Sequence, residues 1–99
     1  MTRLISLHPV AVKEGVAARN WYARRSADAA NGFADELRIA LEAIEQRPGS
    51  FPEYLLGTRR SILDRYPYLV VFRETDNGIE IVAIAQGNRK PGYWRRRLK

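Results

Sequence analysis

Two apolar runs on either side of a tight turn constrain this chain more than any other feature. Leu69-Val70-Val71-Phe72 precedes Thr75-Asp76-Asn77-Gly78, and Ile81-Val82-Ala83-Ile84-Ala85 follows it. Asn-Gly between such runs is a strong hairpin signal, because both residues tolerate the positive φ that tight hairpin turns require. Tyr68–Glu74 and Ile79–Gln86 are therefore predicted to be paired strands, with Thr58–Arg65 as a third strand before them. A sheet with one wet face alternates apolar and polar residues, whereas these strands are apolar on both faces. Each face needs a cover, and two helices can supply only one of them. The other falls either to the Tyr93-Trp94 segment of this chain or to a separate partner.

The helices are legible upstream. Arg3–Leu7 reads as a short first strand, and Pro9 suits a first helical turn, where its missing N–H costs nothing. A helix from about Val10 to Arg25 carries Ala11, Gly15, Ala18 and Tyr22 along one stripe, small residues that allow another backbone to come close. Ser26 followed by Asp28 marks a second helix start, a hydroxyl cap with a carboxylate in the first turn. That helix runs to about Gln46, with Phe33, Leu37, Leu41 and Ile44 on one face, and Pro48-Gly49 ends it. A Pro- and Gly-rich loop, Pro48–Gly57, follows. The order β-α-α-β-β-β predicts a single α+β domain over residues 1–99, a helical hairpin packed on a mainly antiparallel sheet.

Charge is distributed unevenly. Residues 1–85 hold eleven Lys/Arg and eleven Asp/Glu, so the net charge of +6 resides entirely in 86–99, where Arg89, Lys90, Arg95, Arg96, Arg97 and Lys99 face no acid. A basic tail of this kind suits phosphates or an acidic protein surface. Pro91-Gly92 should turn the chain and Tyr93-Trp94 pin it to the sheet by apolar burial, roughly 2–4 kcal/mol for the pair. Arg95, Arg96 and Arg97 would then point outward. No apolar run approaches the ~20 residues of a membrane helix, which points to a cytoplasmic protein with no membrane association. With no cysteine and one histidine, His8, disulfide, thiol and zinc chemistry have nothing to build on, and His8 fits a helix cap better than a triad. No glycine-rich phosphate loop or nucleophile elbow occurs, and no cofactor or metal is expected.

The residues that remain for chemistry are arginines and tyrosines. Arg59, Arg60 and Arg65 fall on one predicted strand, with Arg59 and Arg60 on opposite faces, and Arg89 and Tyr93 follow the last strand. Guanidinium groups can hold a phosphodiester and stabilise the charge of a transition state. A metal-free nuclease also needs a base, and only Glu53, Asp64, Tyr93 or a lysine could supply one.

Trp21-Tyr22-Ala23-Arg24-Arg25-Ser26 leading to Ala30 and Phe33 resembles the helical hairpin of the RelE/ParE toxin superfamily. Arg59-Arg60, then Tyr66-Pro67-Tyr68-Leu69-Val70-Val71-Phe72, is similar to that family's middle strands. Ile81–Ala85 followed by Gly87, Arg89, Pro91, Gly92, Tyr93 and Trp94 is similar to its C-terminal ending. The resemblance, from about residue 9 to 95, implies the toxin of a type II toxin–antitoxin module, of the kind that serves plasmid stabilization, neutralised by a cognate antitoxin that fills apolar grooves. ParE-like members bind DNA gyrase; the alternative is a RelE-like, ribosome-dependent, metal-free mRNA endoribonuclease. Many relatives place a His at the end of the last strand, where this chain has Gln86, and Gln moves no proton near neutral pH. The ParE-like, gyrase-binding branch is therefore favoured. The expected target-binding residues are Arg89, Arg95, Arg96 and Arg97, and the expected antitoxin-binding residues are Trp21, Leu69, Val71, Ile81 and Trp94. For a nuclease the catalytic candidates are Arg60, Arg65, Arg89 and Tyr93.

Overall fold

In the computed structural model, which describes residues 4–99, β1 (Ile5–Leu7) leads directly into α1 (Pro9–Ala23). Arg3, the expected start of that strand, lies outside the described residues. His8 caps α1: its Nδ1 accepts the Val10 N–H at 3.1 Å, and Pro9 opens the helix. The Ser26 hydroxyl likewise accepts the Ala29 N–H at 3.2 Å at the start of α2 (Ala27–Gln46), with Asp28 in the first turn. The α1 helix stops short of the expected Arg25 because the Arg25 and Ser26 N–H groups both return to the Tyr22 carbonyl, at 2.9 and 3.0 Å. That tight link reverses the chain. Tyr22 stacks on Phe33 near the link, with ring centroids 5.6 Å apart, and Gly15 meets Leu37 further along, so the helices run antiparallel. A Cβ on Gly15 would stand 3.1 Å from Ile84 Cδ1, which is why the small-residue stripe brings α1 down onto the sheet as well as onto α2.

After short 3-10 turns at Pro48–Ser50 and Leu55–Gly57 come β2 (Arg59–Ile62), β3 (Tyr68–Thr75) and β4 (Gly78–Gln86). The sheet order is β1-β4-β3-β2, with β1 parallel to β4 and the other neighbours antiparallel. This is the expected α+β hairpin-on-sheet architecture. The β3–β4 hairpin closes through Thr75 opposite Gly78, and Gly78 (φ +142°) lies so close under the Leu4 carbonyl that no side chain fits there. The β2 strand is shorter than expected. Arg65 falls in the turn after it, where its backbone N–H is taken by Glu36 of α2 at 2.9 Å.

The sheet has an apolar cluster on each face. Val70, Phe72, Ile79, Ile81 and Ile84 meet Ala11, Ala18, Phe33 and Ile44 of the helices. Val71, Val82, Ala83 and Ala85 meet Trp94 on the opposite face, flanked by Tyr54, Leu69, Tyr93 and Leu98. A β-bulge makes this sorting possible: Val71 pairs with Ala83 but Phe72 with Ile81, leaving Val82 as the extra residue. Without it, strict alternation would send Ile81 and Ile84 to opposite faces. The second face is therefore covered by the chain's own C-terminal segment. Among the described residues no helix is long and apolar enough to cross a membrane.

Candidate functional site

Beyond Leu7, β1 no longer accompanies β4, so the backbone polar groups of β4 past Ile81 need other partners. Glu14 of α1 supplies one. Its Oε1 accepts the Ile84 N–H at 3.0 Å and the Arg97 guanidinium at 2.8 Å, and its Oε2 accepts Arg97 at 3.0 Å and the Tyr93 hydroxyl at 2.5 Å. Arg97 also donates to the Val82 carbonyl at 3.1 Å. A carboxylate and a guanidinium thus replace the missing strand edge and tie the C-terminal segment to α1. The two side chains are only 16% and 13% exposed. Burial by itself would raise the Glu14 pKa, but hydrogen bonds from Arg97, Tyr93 and the Ile84 N–H overcome it and hold the carboxyl below its usual value of 4.5. Burial, reinforced by Glu14, pushes the Tyr93 hydroxyl well above its usual range.

This network corrects two expectations. Arg97 does not point outward: the open edge of β4 and Glu14 draw it inside, whereas Arg95 and Arg96 are exposed on a terminal 3-10 turn (Arg95–Leu98). Tyr93 cannot serve as a base, because its hydroxyl is already a donor to Glu14 and resists ionisation.

Around Tyr93 the chain forms a small cleft of about 140 Å³ lined by Arg60, Gln86, Arg89 and Lys90, and no carboxylate lines it. Arg60 lies over the Tyr54 ring at 4.5 Å and Arg89 over the Tyr93 ring at 4.0 Å. Strand alternation places Arg60 on this face while Arg59 turns the other way and donates to the Phe51 carbonyl at 2.6 Å. Arg65 does not join this group: its Nε is held by Glu36 at 3.1 Å. Three of the four catalytic candidates therefore gather at the cleft, and Arg65 stands apart.

The expected antitoxin-binding residues divide differently. Val71 and Ile81 are fully buried and Trp94 is 1% exposed, so none of the three can meet a partner. The two-sided apolar pattern that suggested them is satisfied within the chain. Leu69 is half-buried, and Trp21 is exposed with the Arg25 guanidinium 3.4 Å above its ring. The open apolar surface lies elsewhere, between β1 and the two helices. A cleft of about 480 Å³ opens there, lined by Ile5 and Leu7 of β1, Val12 and Val16 of α1, and Leu37 and Leu41 of α2. Val12 and Val16 are 46% and 54% exposed. Their i, i+4 spacing marks a second apolar stripe on α1, beside the small-residue one, and is the sequence signal for this surface. Nothing in the sequence marks Glu14, an ordinary helical glutamate until the sheet edge arrives.

Residues 5–91 match the family model described as ParE toxin of type II toxin-antitoxin system, parDE. Trp94 and Arg97 fall beyond the matched span. Among solved structures, the fold is similar to a chain of the chromosomal ParDE TA system from P. aeruginosa, with a TM-score of 0.75 at 18% identity, over 86% of this chain and 96% of that one. A search of curated proteins finds no match.

Proposed function

The chain belongs to the ParE toxin family of type II toxin–antitoxin systems, and from that premise we propose that it arrests growth by binding DNA gyrase without cleaving a substrate. In the resting state a cognate antitoxin holds it in the cytoplasm by filling the cleft between the helices. What supports a non-hydrolytic action is the chemistry of the Arg60–Arg89–Lys90 cleft. Its cations could hold an anion, but its lining includes no carboxylate, Gln86 is neutral and the Tyr93 hydroxyl is committed to Glu14. A phosphoryl transfer there would have only Lys90 to take a proton, and an ammonium carries three donors and no acceptor. The purified toxin should inhibit gyrase supercoiling or trap cleaved DNA, and leave mRNA intact in a ribosome-containing translation extract. Site-specific cleavage of mRNA on the ribosome would reverse this reading in favour of the nuclease.

The antitoxin reading is supported by the cleft of Val12, Val16, Leu37 and Leu41, whose apolar lining suits an amphipathic helix presenting aliphatic anchors. Val12→Glu and Val16→Glu each place a charge where such an anchor would sit. Both should weaken binding of the antitoxin from the neighbouring reading frame by about 100-fold or more, while the melting temperature changes little because both sites are open to solvent. Co-purification and calorimetry on the co-expressed pair provide the check. Full-strength binding by both variants would move the antitoxin site off this cleft.

A further inference from the structure

We propose that the loop Tyr54–Thr58 is a preformed docking tip, with Leu56 as its anchor, for a protein partner that offers an apolar pocket rimmed by carboxylates. The proposal rests on reading the chain as a toxin that acts by protein–protein binding, and it does not depend on which protein is the target.

Three observations carry it. Leu56 sits at φ 58°, ψ 38°, the left-handed region, and is the one non-glycine residue with positive φ among the described residues. A bulky side chain pays conformational energy there, and glycine or asparagine would adopt the same backbone more readily. The loop is closed firmly around it: the Tyr54 N–H donates to the Thr58 carbonyl at 2.8 Å, and the Thr58 N–H and hydroxyl both donate to the Leu55 carbonyl, at 3.1 and 2.6 Å. The strain is therefore held by the surrounding structure, and what it achieves is display. Leu55 and Leu56 are 40% and 62% exposed, although the core could use both. An apolar anchor fixed in advance loses little freedom on binding.

The third observation is charge. Tyr54, the first residue of the loop, also lines the cleft of Arg60, Arg89 and Lys90, and Leu55 lies against Gly92 in the adjoining turn. None of the three cations has an ion-pair partner among the described residues. A leucine tip beside unpaired cations is complementary to an apolar pocket with an acidic rim, an arrangement typical of a buried anchor surrounded by polar contacts. A nucleic acid would satisfy the cations equally well, but leucine offers no flat ring for a base to stack on, so the exposed pair favours protein.

Leu56→Gly, Leu56→Asn and Leu56→Met in the full chain provide the test, each co-expressed with the neighbouring antitoxin for purification and expressed alone for toxicity. Glycine and asparagine relieve the backbone and remove the anchor; methionine keeps an apolar anchor. The first two should melt at the same or a higher temperature, bind antitoxin as the wild type does, and raise colony survival on induction by about tenfold or more. Leu56→Met should remain toxic. A side chain with only a structural role predicts no change in toxicity, so full growth arrest by Leu56→Gly and Leu56→Asn at equal expression overturns the proposal. If the wild type inhibits supercoiling and Leu56→Asn inhibits it equally, the docking tip falls and the gyrase reading stands. If Leu56→Gly relieves growth arrest while the wild type leaves gyrase untouched, the tip stands and the gyrase reading falls. A wild type that does not arrest growth overturns both.

Discussion

Arg97→Ala lowers the stability of the chain by about 3 kcal/mol, the lower end of the cost of stranding one member of a buried ion pair, because this pair is largely but not fully buried. The residue left behind is Glu14, which would keep the Ile84 N–H and Tyr93 hydroxyl as donors but lose the guanidinium that neutralises it. For a domain of this size such a loss is a large part of the total stability and lowers the melting temperature by more than about 10 °C. Arg97→Lys recovers only part of it, because an ammonium cannot reach both carboxylate oxygens and the Val82 carbonyl in one plane. Arg95→Ala with Arg96→Ala should change stability by less than about 0.5 kcal/mol, since both side chains stand in solvent. Equal melting temperatures for Arg97→Ala and the Arg95/Arg96 pair would show that the ion pair contributes nothing. The same network sets an acid limb. The folded-state pKa of Glu14 is depressed, so its contribution is fully present above pH 4.5 and is lost as pH falls from there through the folded value. Glu36 is depressed as well: burial opposes the shift and hydrogen bonds from Arg65 drive it. The difference in acid denaturation between wild type and Glu14→Gln therefore isolates the Glu14 part, and identical pH profiles would contradict it.

Trp94→Ala should cost about 3–5 kcal/mol by a different route, the cavity left by a large ring removed from a packed face. Trp94 is the largest fully buried side chain, set on Val71, Val82, Ala83 and Ala85 with the Tyr54 ring 6.1 Å away. Its removal also frees the segment that delivers Arg97, so the two losses share a mechanism. Trp94→Ala combined with Arg97→Ala should cost clearly less than the separate effects added together. Urea denaturation measures all three variants, and additive losses would mean that ring and ion pair hold the segment independently. The chain's other tryptophan, Trp21, is 43% exposed, so a Trp21→Phe background leaves Trp94 emission as a direct report on whether the segment is docked.

Sequence patterns mark the residues of the C-terminal segment unevenly. The Tyr93-Trp94 pin was legible, because two aromatics beyond a Pro-Gly turn have few places to go other than an uncovered apolar sheet. A run of three arginines carries no periodicity and charge alone says exposed, so nothing in the sequence singles out Arg97. The same limit applies to Val71, Ile81 and Trp94, which the sequence offers to a partner and the fold buries. Apolarity on both strand faces shows that covers exist but not whose chain supplies them.

The elements and their order are legible in the sequence alone. Capping side chains at His8 and Ser26, the Pro48-Gly49 stop and the Asp76-Asn77 turn act within a few residues of where they are written, so local chemistry suffices to place them. The sequence also shows that Arg60, Arg89 and Tyr93 have no proton-transfer histidine at Gln86. Which way Arg97 faces, where the open apolar cleft lies and why Glu14 matters are set by the assembled fold. Each depends on an edge or a gap created by parts distant in the chain. The β1 strand ends at Leu7 and leaves one edge of β4 open past Ile81, a single bulge at Val82 re-sorts two faces, and Val12, Val16, Leu37 and Leu41 come together around an open cleft. Short-range preferences cannot encode such vacancies, because a vacancy is a property of the assembled surface and not of any residue that borders it.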